Sequence, residues 1–165
     1  NAVVTTSEPF GAKTRIAAVW TASGSPCARH ETKAAIDSFA TLGVKVMITE
    51  MDVDVLPLTR EGQIIGQGMS DPQFQLEEFK QYLDPYRDGL PEDVQRALAK
   101  RYAELFALFW RKRDKIARVT LWGVADDMSW KNGYPIPGRT NYPLLFDRNR
   151  KPKAAFDAVL AIPRS

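Results

Sequence analysis

Two carboxylates directly follow the most apolar short run of the chain. Val44 to Thr49 reads Val-Lys-Val-Met-Ile-Thr, and Glu50 and Asp52 come after it. A buried strand of a parallel sheet is a nearly continuous apolar run, and α/β folds place catalytic groups at the carboxyl ends of such strands. Because glutamate is a poor strand former, Glu50 is a candidate catalytic carboxylate. The alternative is a strand-end carboxylate that faces solvent or caps the next turn.

Two tryptophans lie at the end of a second β-branched run, Ile116–Trp122, and in the polar loop behind it. They are Trp122 and Trp130. Sugar rings present flat C–H faces that pack against indoles, and a carboxylate can attack or stabilise the oxocarbenium-like centre of a glycoside. Glu50 together with these indoles therefore suggests carbohydrate chemistry. The alternative is that both indoles belong to the core, where large aromatics are usually well buried.

The elements around these residues alternate as in an α/β fold. A helix is predicted over Glu31–Leu42, and Gly43 lies just past its end, where glycine accepts a left-handed conformation. A longer helix is predicted over Pro91–Lys115. Since a long helical crossover separates the strands Val44–Thr49 and Ile116–Trp122, we expect them to pair in parallel. The carboxylates and the tryptophans should then lie at one edge of the sheet.

The remaining predicted elements complete the order strand, helix, strand, helix, strand, helix. Arg15–Trp20 is predicted as a strand, Pro72–Tyr82 as a helix and Lys153–Leu160 as a terminal helix. Leu56–Asp71 and Lys131–Asn141, both rich in glycine and proline, are predicted as loops.

Length and charge exclude several function classes. The chain has 165 residues, which suggests one domain, and a formal net charge of +3. Its densest basic cluster, Arg111–Lys115, lies at the end of a predicted helix, where cations complement the helix dipole. We therefore predict no nucleic-acid partner. No segment approaches the ~18 consecutive apolar residues of a membrane span, and the first residues lack the pattern of a signal peptide.

The few metal-binding side chains predict neither a metal nor a cofactor. Cys27 is the only cysteine, so an intrachain disulfide cannot form. Cys27, His30 and Glu31 are close in sequence, but no second ligand pair stands at a zinc spacing.

Several motifs resemble one family of enzymes. Ile48-Thr-Glu-Met-Asp-Val53 resembles the nucleophile motif of family 10 glycoside hydrolases, the retaining endo-β-1,4-xylanases. Val119-Thr-Leu-Trp-Gly-Val-Ala-Asp-Asp-Met-Ser-Trp130 resembles the signature around the last barrel strand of that family. Gly138-Arg-Thr-Asn-Tyr-Pro-Leu-Leu-Phe-Asp147 and Lys151-Pro-Lys-Ala-Ala-Phe156 resemble its C-terminal stretch. The resemblance runs in order from about residue 31 to residue 160, whereas residues 1–30 match poorly.

The resemblance implies a role for each site residue. Glu50 matches the catalytic nucleophile, and Asp52 matches a carboxylate that orients a histidine bonded to that nucleophile. Trp122 and Trp130 match aromatics on the glycone side of the cleft, next to the cleaved bond. The implied substrate is xylan or a xylooligosaccharide, and the implied location is secreted or periplasmic. The implied fold is α/β, the C-terminal part of a (β/α)₈ barrel, with Arg15–Trp20, Val44–Thr49 and Ile116–Leu121 as its last three strands.

The resemblance covers only part of such an enzyme. A (β/α)₈ barrel needs about 250 residues, and the opening Asn1-Ala-Val resembles the start of a helix late in the barrel. The family's acid/base glutamate belongs to an Asn-Glu motif on the fourth strand, and this sequence contains no Asn-Glu pair. Its only histidine, His30, precedes a predicted helix instead of ending a strand. Asp126 and Asp127 are the nearest substitute carboxyl groups.

We therefore treat residues 1–165 as one partial barrel domain that is either part of a longer polypeptide or pairs with another chain. Three strands cannot close a barrel, and the open edges of a sheet are usually paired or covered. Three functions follow from this: the nucleophile-bearing half of a xylanase, a sugar-binding remnant that cuts no bond, or a self-associating fragment without a ligand.

Overall fold

A computed structural model describes residues 2–5, 14–19, 27–56, 81, 83–134 and 137–163, with the backbone alone for 2–5, 14–19 and 27–31. We number the elements over these residues. The strands are β1 (Ala2–Thr5), β2 (Thr14–Val19), β3 (Lys45–Met51) and β4 (Ile116–Leu121). The helices are α1 (Cys27–Ala40), α2 (Glu92–Arg111) and α3 (Ala154–Leu160).

One sheet holds the four strands in the order β1-β2-β3-β4. The pairs β2–β3 and β3–β4 are parallel, as the crossover helices predict. β3 is enclosed between two strands, which explains its apolar sequence. The carboxyl ends of β3 and β4 consequently meet at the same edge of the sheet.

The start of the chain corrects one expectation. Asn1-Ala-Val resembles the start of a barrel helix, but Ala2–Thr5 is a strand, and it pairs antiparallel with β2. Two valines and a threonine favour extended backbone. A (β/α)₈ barrel contains parallel strands only, so β1 departs from the family pattern, within the stretch of sequence that matches the family poorly.

The helix α2 is shorter than predicted because its basic end turns away. After Arg111 the chain forms a turn in which the Lys115 amide donates to the Lys112 carbonyl at 2.8 Å. The ammonium groups of these two lysines bind Asp37 of α1 at 2.9 and 2.7 Å. These hydrogen bonds, with a third from Lys33, hold the pKa of Asp37 well below its usual range. The ion pairs thus tie α1 to the turn between α2 and β4.

The core lies between the sheet and the helices, and α1, β3 and α2 all contribute large side chains to it. Fully buried side chains include Ile36, Val46, Ile48, Tyr102 and Leu105. The Tyr102 hydroxyl donates to the Pro143 carbonyl at 2.6 Å, which joins α2 to the loop in front of α3. The helix α2 therefore supports both β3 and the C-terminal loop.

Two predicted elements, the loop Leu56–Asp71 and the helix Pro72–Tyr82, fall almost wholly outside the described residues. Gly43 has φ 69°, the left-handed conformation expected at the end of α1. Within the described ranges, the helices are too short or too polar to cross a membrane.

Replacing Tyr102 by phenylalanine should lower the free energy of unfolding by about 1 kcal/mol, the net contribution of one hydrogen bond. The loss stays modest because the Pro143 carbonyl also accepts the Val53 amide at 3.2 Å. Urea unfolding of the full chain measures the change. The control is Tyr134→Phe, whose side chain is largely exposed and should change stability by less than about 0.5 kcal/mol. Equal stability of the two variants would contradict this account.

Candidate active site

Glu50 lies in a bulge at the carboxyl end of β3. Ile48 pairs with Val119 and Met51 pairs with Leu121, so two residues of β3, Thr49 and Glu50, face a single residue of β4. A β-bulge redirects side chains and is frequent beside active sites. Glu50 is partly buried there, so it is neither a freely solvated strand end nor a core residue.

Trp122 directly follows β4 at the same edge as Glu50. Its backbone amide donates to the Met51 carbonyl at 2.9 Å, which fixes it beside the bulge. Its side chain is 48% exposed, so the core interpretation is wrong for this indole. Gly123 has φ 137°, and a Cβ there would approach Leu144 Cδ1 to 2.8 Å. The chain can therefore turn away behind Trp122 only with glycine at this position.

Asp52 holds the edge of the second indole. The Trp130 Nε1–H donates to Asp52 Oδ2 at 2.8 Å, and Asp52 is buried. The Tyr134 ring stacks on the Trp130 ring, with centroids 5.3 Å apart and planes at 21°. Trp130 is therefore anchored at its edge and covered by a ring that is itself 62% exposed.

A buried lysine completes this arrangement, and the sequence did not suggest it. Lys131 lies in the predicted loop, yet its ammonium group is 3.0 Å from Asp54 Oδ2 and 3.8 Å from Asp52 Oδ1. Burial raises the pKa of Asp52, and the charge of Lys131 opposes that rise. The sequence does contain one indication of such a cation, the pair Asp52 and Asp54 after a strand. Alternate residues of an extended chain lie on one side, and two buried carboxylates there need a cation.

Asp54 joins this cation to the loop in front of α3. Its Oδ1 accepts from the Asn141 side-chain amide at 2.9 Å and from the Leu56 backbone amide at 3.0 Å. Both carboxylates that follow the bulge are therefore held by groups from the segment after β4. The orienting role toward a histidine stays a prediction, because His30 belongs to α1 and its side chain is not among those described.

Similarity to known proteins identifies the family. Residues 20–162 match the model of glycosyl hydrolase family 10, which is most of the chain. The chain belongs to glycosyl hydrolase family 10. The match begins before the stretch from residue 31 that carries the sequence resemblance, and it takes in the bulge, both tryptophans and Lys131.

Relatives of this family 10 chain are bacterial xylanases. It is 38% identical over 129 residues to the endo-1,4-beta-xylanase A of Xylanibacter ruminicola, covering 77% of this chain and 33% of the relative. It is 37% identical over 132 residues to an endo-1,4-beta-xylanase of Geobacillus stearothermophilus, covering 80% and 33%. The chain thus spans about a third of the length of the curated relatives it matches.

Solved structures show the same partial coverage. A GH10 endoxylanase retrieved from a sugarcane soil metagenome matches with a TM-score of 0.68 and 44% identity, over 84% of this chain and 36% of that one. A mutant solved in complex with xylotriose matches with a TM-score of 0.63 and 28% identity, over 90% and 37%. The fold is therefore α/β, a part of the (β/α)₈ barrel of the family.

Asp126 and Asp127, the candidate substitutes for the acid/base glutamate, differ in burial and in their partners. Asp126 is 0% exposed; its oxygens accept from the Lys153 ammonium at 2.8 Å and the Leu144 amide at 2.9 Å. Burial raises its pKa, and Lys153 opposes the rise. Asp126 therefore has a structural task. Asp127 is partly exposed, 3.6 Å from Arg150.

Within the described part of the chain, no three His, Cys, Asp or Glu side chains are grouped so that they could hold a metal ion. The side chains of Cys27, His30 and Glu31 are not among those described.

Replacing Lys153 by methionine should destabilise the chain by about 3–5 kcal/mol at neutral pH, because it leaves Asp126 buried without its cation. The carbonyls of Tyr142 and Leu144 lose the same donor. Without Lys153 the folded-state pKa of Asp126 rises further above the unfolded value of 3.8. The folded variant then binds the proton more tightly, so its free energy of unfolding should fall as the pH rises above 3.8.

Urea titrations of the variant and the native chain from acid to neutral pH measure this effect. Lys151→Met, at an exposed position two residues away, is the control and should follow the native curve. A loss in Lys153→Met that is independent of pH would argue against Asp126 as the partner that matters.

Proposed function

We propose that this chain carries the nucleophile half of a retaining endo-1,4-β-xylanase site, with Glu50 as the nucleophile. The observation that supports this most is the position of Glu50 in the bulge, with Trp122 fixed beside that bulge. Asp52, two residues after Glu50, anchors the indole of Trp130. A nucleophilic carboxylate must reach the anomeric carbon of a sugar from below, while aromatic rings hold the sugar faces.

In the proposed reaction a Glu50 oxygen attacks the anomeric carbon of a xylosyl unit, and the bond to the leaving oxygen breaks. The electron pair of that bond goes to the leaving oxygen, which takes a proton from a general acid. Water then attacks the same anomeric carbon and gives a proton to the group that served as the acid, while the bond to the Glu50 oxygen breaks. The sugar leaves with retained configuration and Glu50 is again a carboxylate. The acid must lie about 5 Å from Glu50. Asp126 does not suit this role, because its carboxylate binds the Lys153 ammonium group.

We propose that the acid/base carboxyl comes from the rest of a (β/α)₈ barrel, in the same polypeptide or in a second chain. The chain spans about a third of its relatives, and its sequence lacks an Asn-Glu pair. Xylan is a polymer that cannot enter a cell intact, so we propose that the enzyme works outside the cytoplasm, in secreted or periplasmic form.

A second candidate function is the binding of xylooligosaccharides without cleavage. The exposed indole of Trp122 favours it, because an aromatic face binds sugar whether or not an acid is present. The two candidates differ in one measurable step, the formation of a covalent bond to Glu50.

An activated xylobioside should label Glu50 without help from an acid. In 2,4-dinitrophenyl β-xylobioside the leaving phenolate needs no protonation, so the nucleophile alone can displace it. We expect the full chain to release dinitrophenolate in a burst of about one per site and to gain the mass of a xylobiosyl group. Peptide mass spectrometry should locate that mass on Glu50, and added azide should restore turnover.

Glu50→Gln should show neither burst nor label, whereas Glu92→Gln should behave like the native chain. Glu92 is a matched control because it is an exposed glutamate at the start of α2. Labelling of another residue, or an equal burst in Glu50→Gln, would reject Glu50 as nucleophile. Sugar binding without a burst in the native chain would leave the second candidate function.

Replacing Trp122 by alanine should weaken xylotriose binding about tenfold, which corresponds to 1.4 kcal/mol. The exposed indole offers the face on which a sugar ring stacks, and alanine removes it. Calorimetric titration with xylotriose measures the affinity. Leu42→Ala is the control, since Leu42 is also exposed but precedes β3, at the opposite edge of the sheet. Equal losses in the two variants would show that the indole is not a sugar platform.

A further inference from the structure

We propose that Lys131 is a positioning residue, whose ammonium group keeps Asp52 in the form that accepts the Trp130 N–H and so fixes the indole at the carboxyl end of β3. For its bearing on xylan cleavage the inference rests on the function proposed above. The positioning itself is a property of the free chain and can be tested without a substrate.

The Lys131 ammonium group lies close to Asp52, to Asp54 and to the Trp130 ring. It is 3.0 Å from Asp54 Oδ2 and 3.8 Å from Asp52 Oδ1. It also lies 4.9 Å from the centroid of the Trp130 ring, within the range of a cation–π contact. Asp52 divides its oxygens between the two neighbours, since Oδ2 accepts the indole N–H and Oδ1 faces the ammonium.

The Lys131 cation opposes the effects that favour protonation of Asp52. Asp52, Asp54 and Lys131 are all buried. Burial is the main cause that raises the pKa of Asp52, and the like charges of Asp54 and Glu50 add to it, whereas Lys131 and the Trp130 hydrogen bond lower it. A carboxylate accepts a stronger hydrogen bond than a protonated carboxyl group. Loss of Lys131 would therefore favour protonation of Asp52 and weaken the bond that holds the indole.

The backbone places the cation where this task needs it. Lys131 follows Trp130 within one short 3₁₀ turn, Trp130–Asn132, and its amide donates to the Ser129 hydroxyl at 3.3 Å. Indole and ammonium thus belong to one rigid turn. That turn is bound to the end of β3 through Asp52 and Asp54.

Other groups near this cluster have less direct roles. Burial raises the pKa of Tyr102, and the charge of Asp52 adds to that rise. Burial lowers the pKa of Arg139, and the charge of Asp54 opposes that fall. Arg139 Nε donates to the Leu83 carbonyl. Of these cations, the structure brings Lys131 into contact with Asp52.

The indole N–H of Trp130 provides the readout. In a ¹⁵N-labelled full chain its nuclear magnetic resonance signal is assigned by its loss in Trp130→Phe. The signal should move as Asp52 takes up a proton, and the midpoint gives the pKa of Asp52. In Lys131→Met the midpoint should move to higher pH, while Lys131→Arg should restore it toward the native value. Lys100→Met, at an exposed position on α2, should leave it unchanged.

A second variant keeps the test decisive if Lys131→Met does not fold. Asp54→Asn removes a like charge from beside Asp52 and should move the midpoint to lower pH, opposite to Lys131→Met. A midpoint that stays unchanged in either variant, or that moves upward in Asp54→Asn, would overturn the proposal. A merely structural role of Lys131 predicts no such opposite shifts.

The burst of dinitrophenolate connects this positioning to function. Its rate should fall about tenfold in Lys131→Met at a pH where Asp52 of the variant is protonated, and recover as the pH is raised. A native chain without a burst would count against the proposed function alone, because the indole signal tests Lys131 in the absence of sugar. Shifted midpoints with an unaltered burst rate would overturn the bearing of Lys131 on Glu50.

Discussion

The parallel pairing of β3 with β4 is the constraint on which the site depends. Because both strands point the same way, whatever follows them in sequence meets at one edge: Glu50, Asp52 and Asp54 after β3, and Trp122 after β4. The pairing carries two irregularities that compensate, an extra residue of β4 opposite Val46–Met47 and an extra residue of β3 at the bulge. The bulge can therefore redirect Glu50 without shifting the hydrogen bonds on which Trp122 depends.

Two lysines, Lys131 buried and Lys153 partly buried, form ion pairs that hold the loop after β4 in place. Lys131 binds the carboxylates behind β3, and Lys153, just before α3, binds Asp126 behind β4. Buried ion pairs contribute little net stability, since desolvation offsets much of the attraction, but a missing partner is costly. Such pairs therefore penalise every other arrangement of the loop. The indole of Trp130 is held by polar contacts of defined geometry, which suits a residue that must keep its place without being enclosed in the core.

The sequence predicted what depends on local pattern and missed what depends on distant partners. The three parallel strands, α1, α2 and α3 follow from apolar periodicity, and the common edge follows from chain direction. The antiparallel β1 was missed because a four-residue strand is decided by the neighbour it pairs with. Burial of Lys131 was missed because lysine in a glycine-rich loop is usually solvated. Nothing in a single sequence shows that a carboxylate 77 residues away, that of Asp54, binds it.

The strands that would close the barrel are also the strands that would supply the general acid. Among the described strands β4 pairs on one side only, with β3, and barrel closure requires a strand on its other side. In a (β/α)₈ barrel that strand runs parallel to β4, so its carboxyl end lies at the edge where Glu50 and Trp122 lie. Any segment that closes the sheet in this way brings the side chains at its own strand ends to that edge. By the family resemblance the general acid, about 5 Å from Glu50, belongs to the fourth strand of the barrel. The strands that close the barrel therefore include the one that carries the second carboxyl group, and closure brings it to the edge where Glu50 lies.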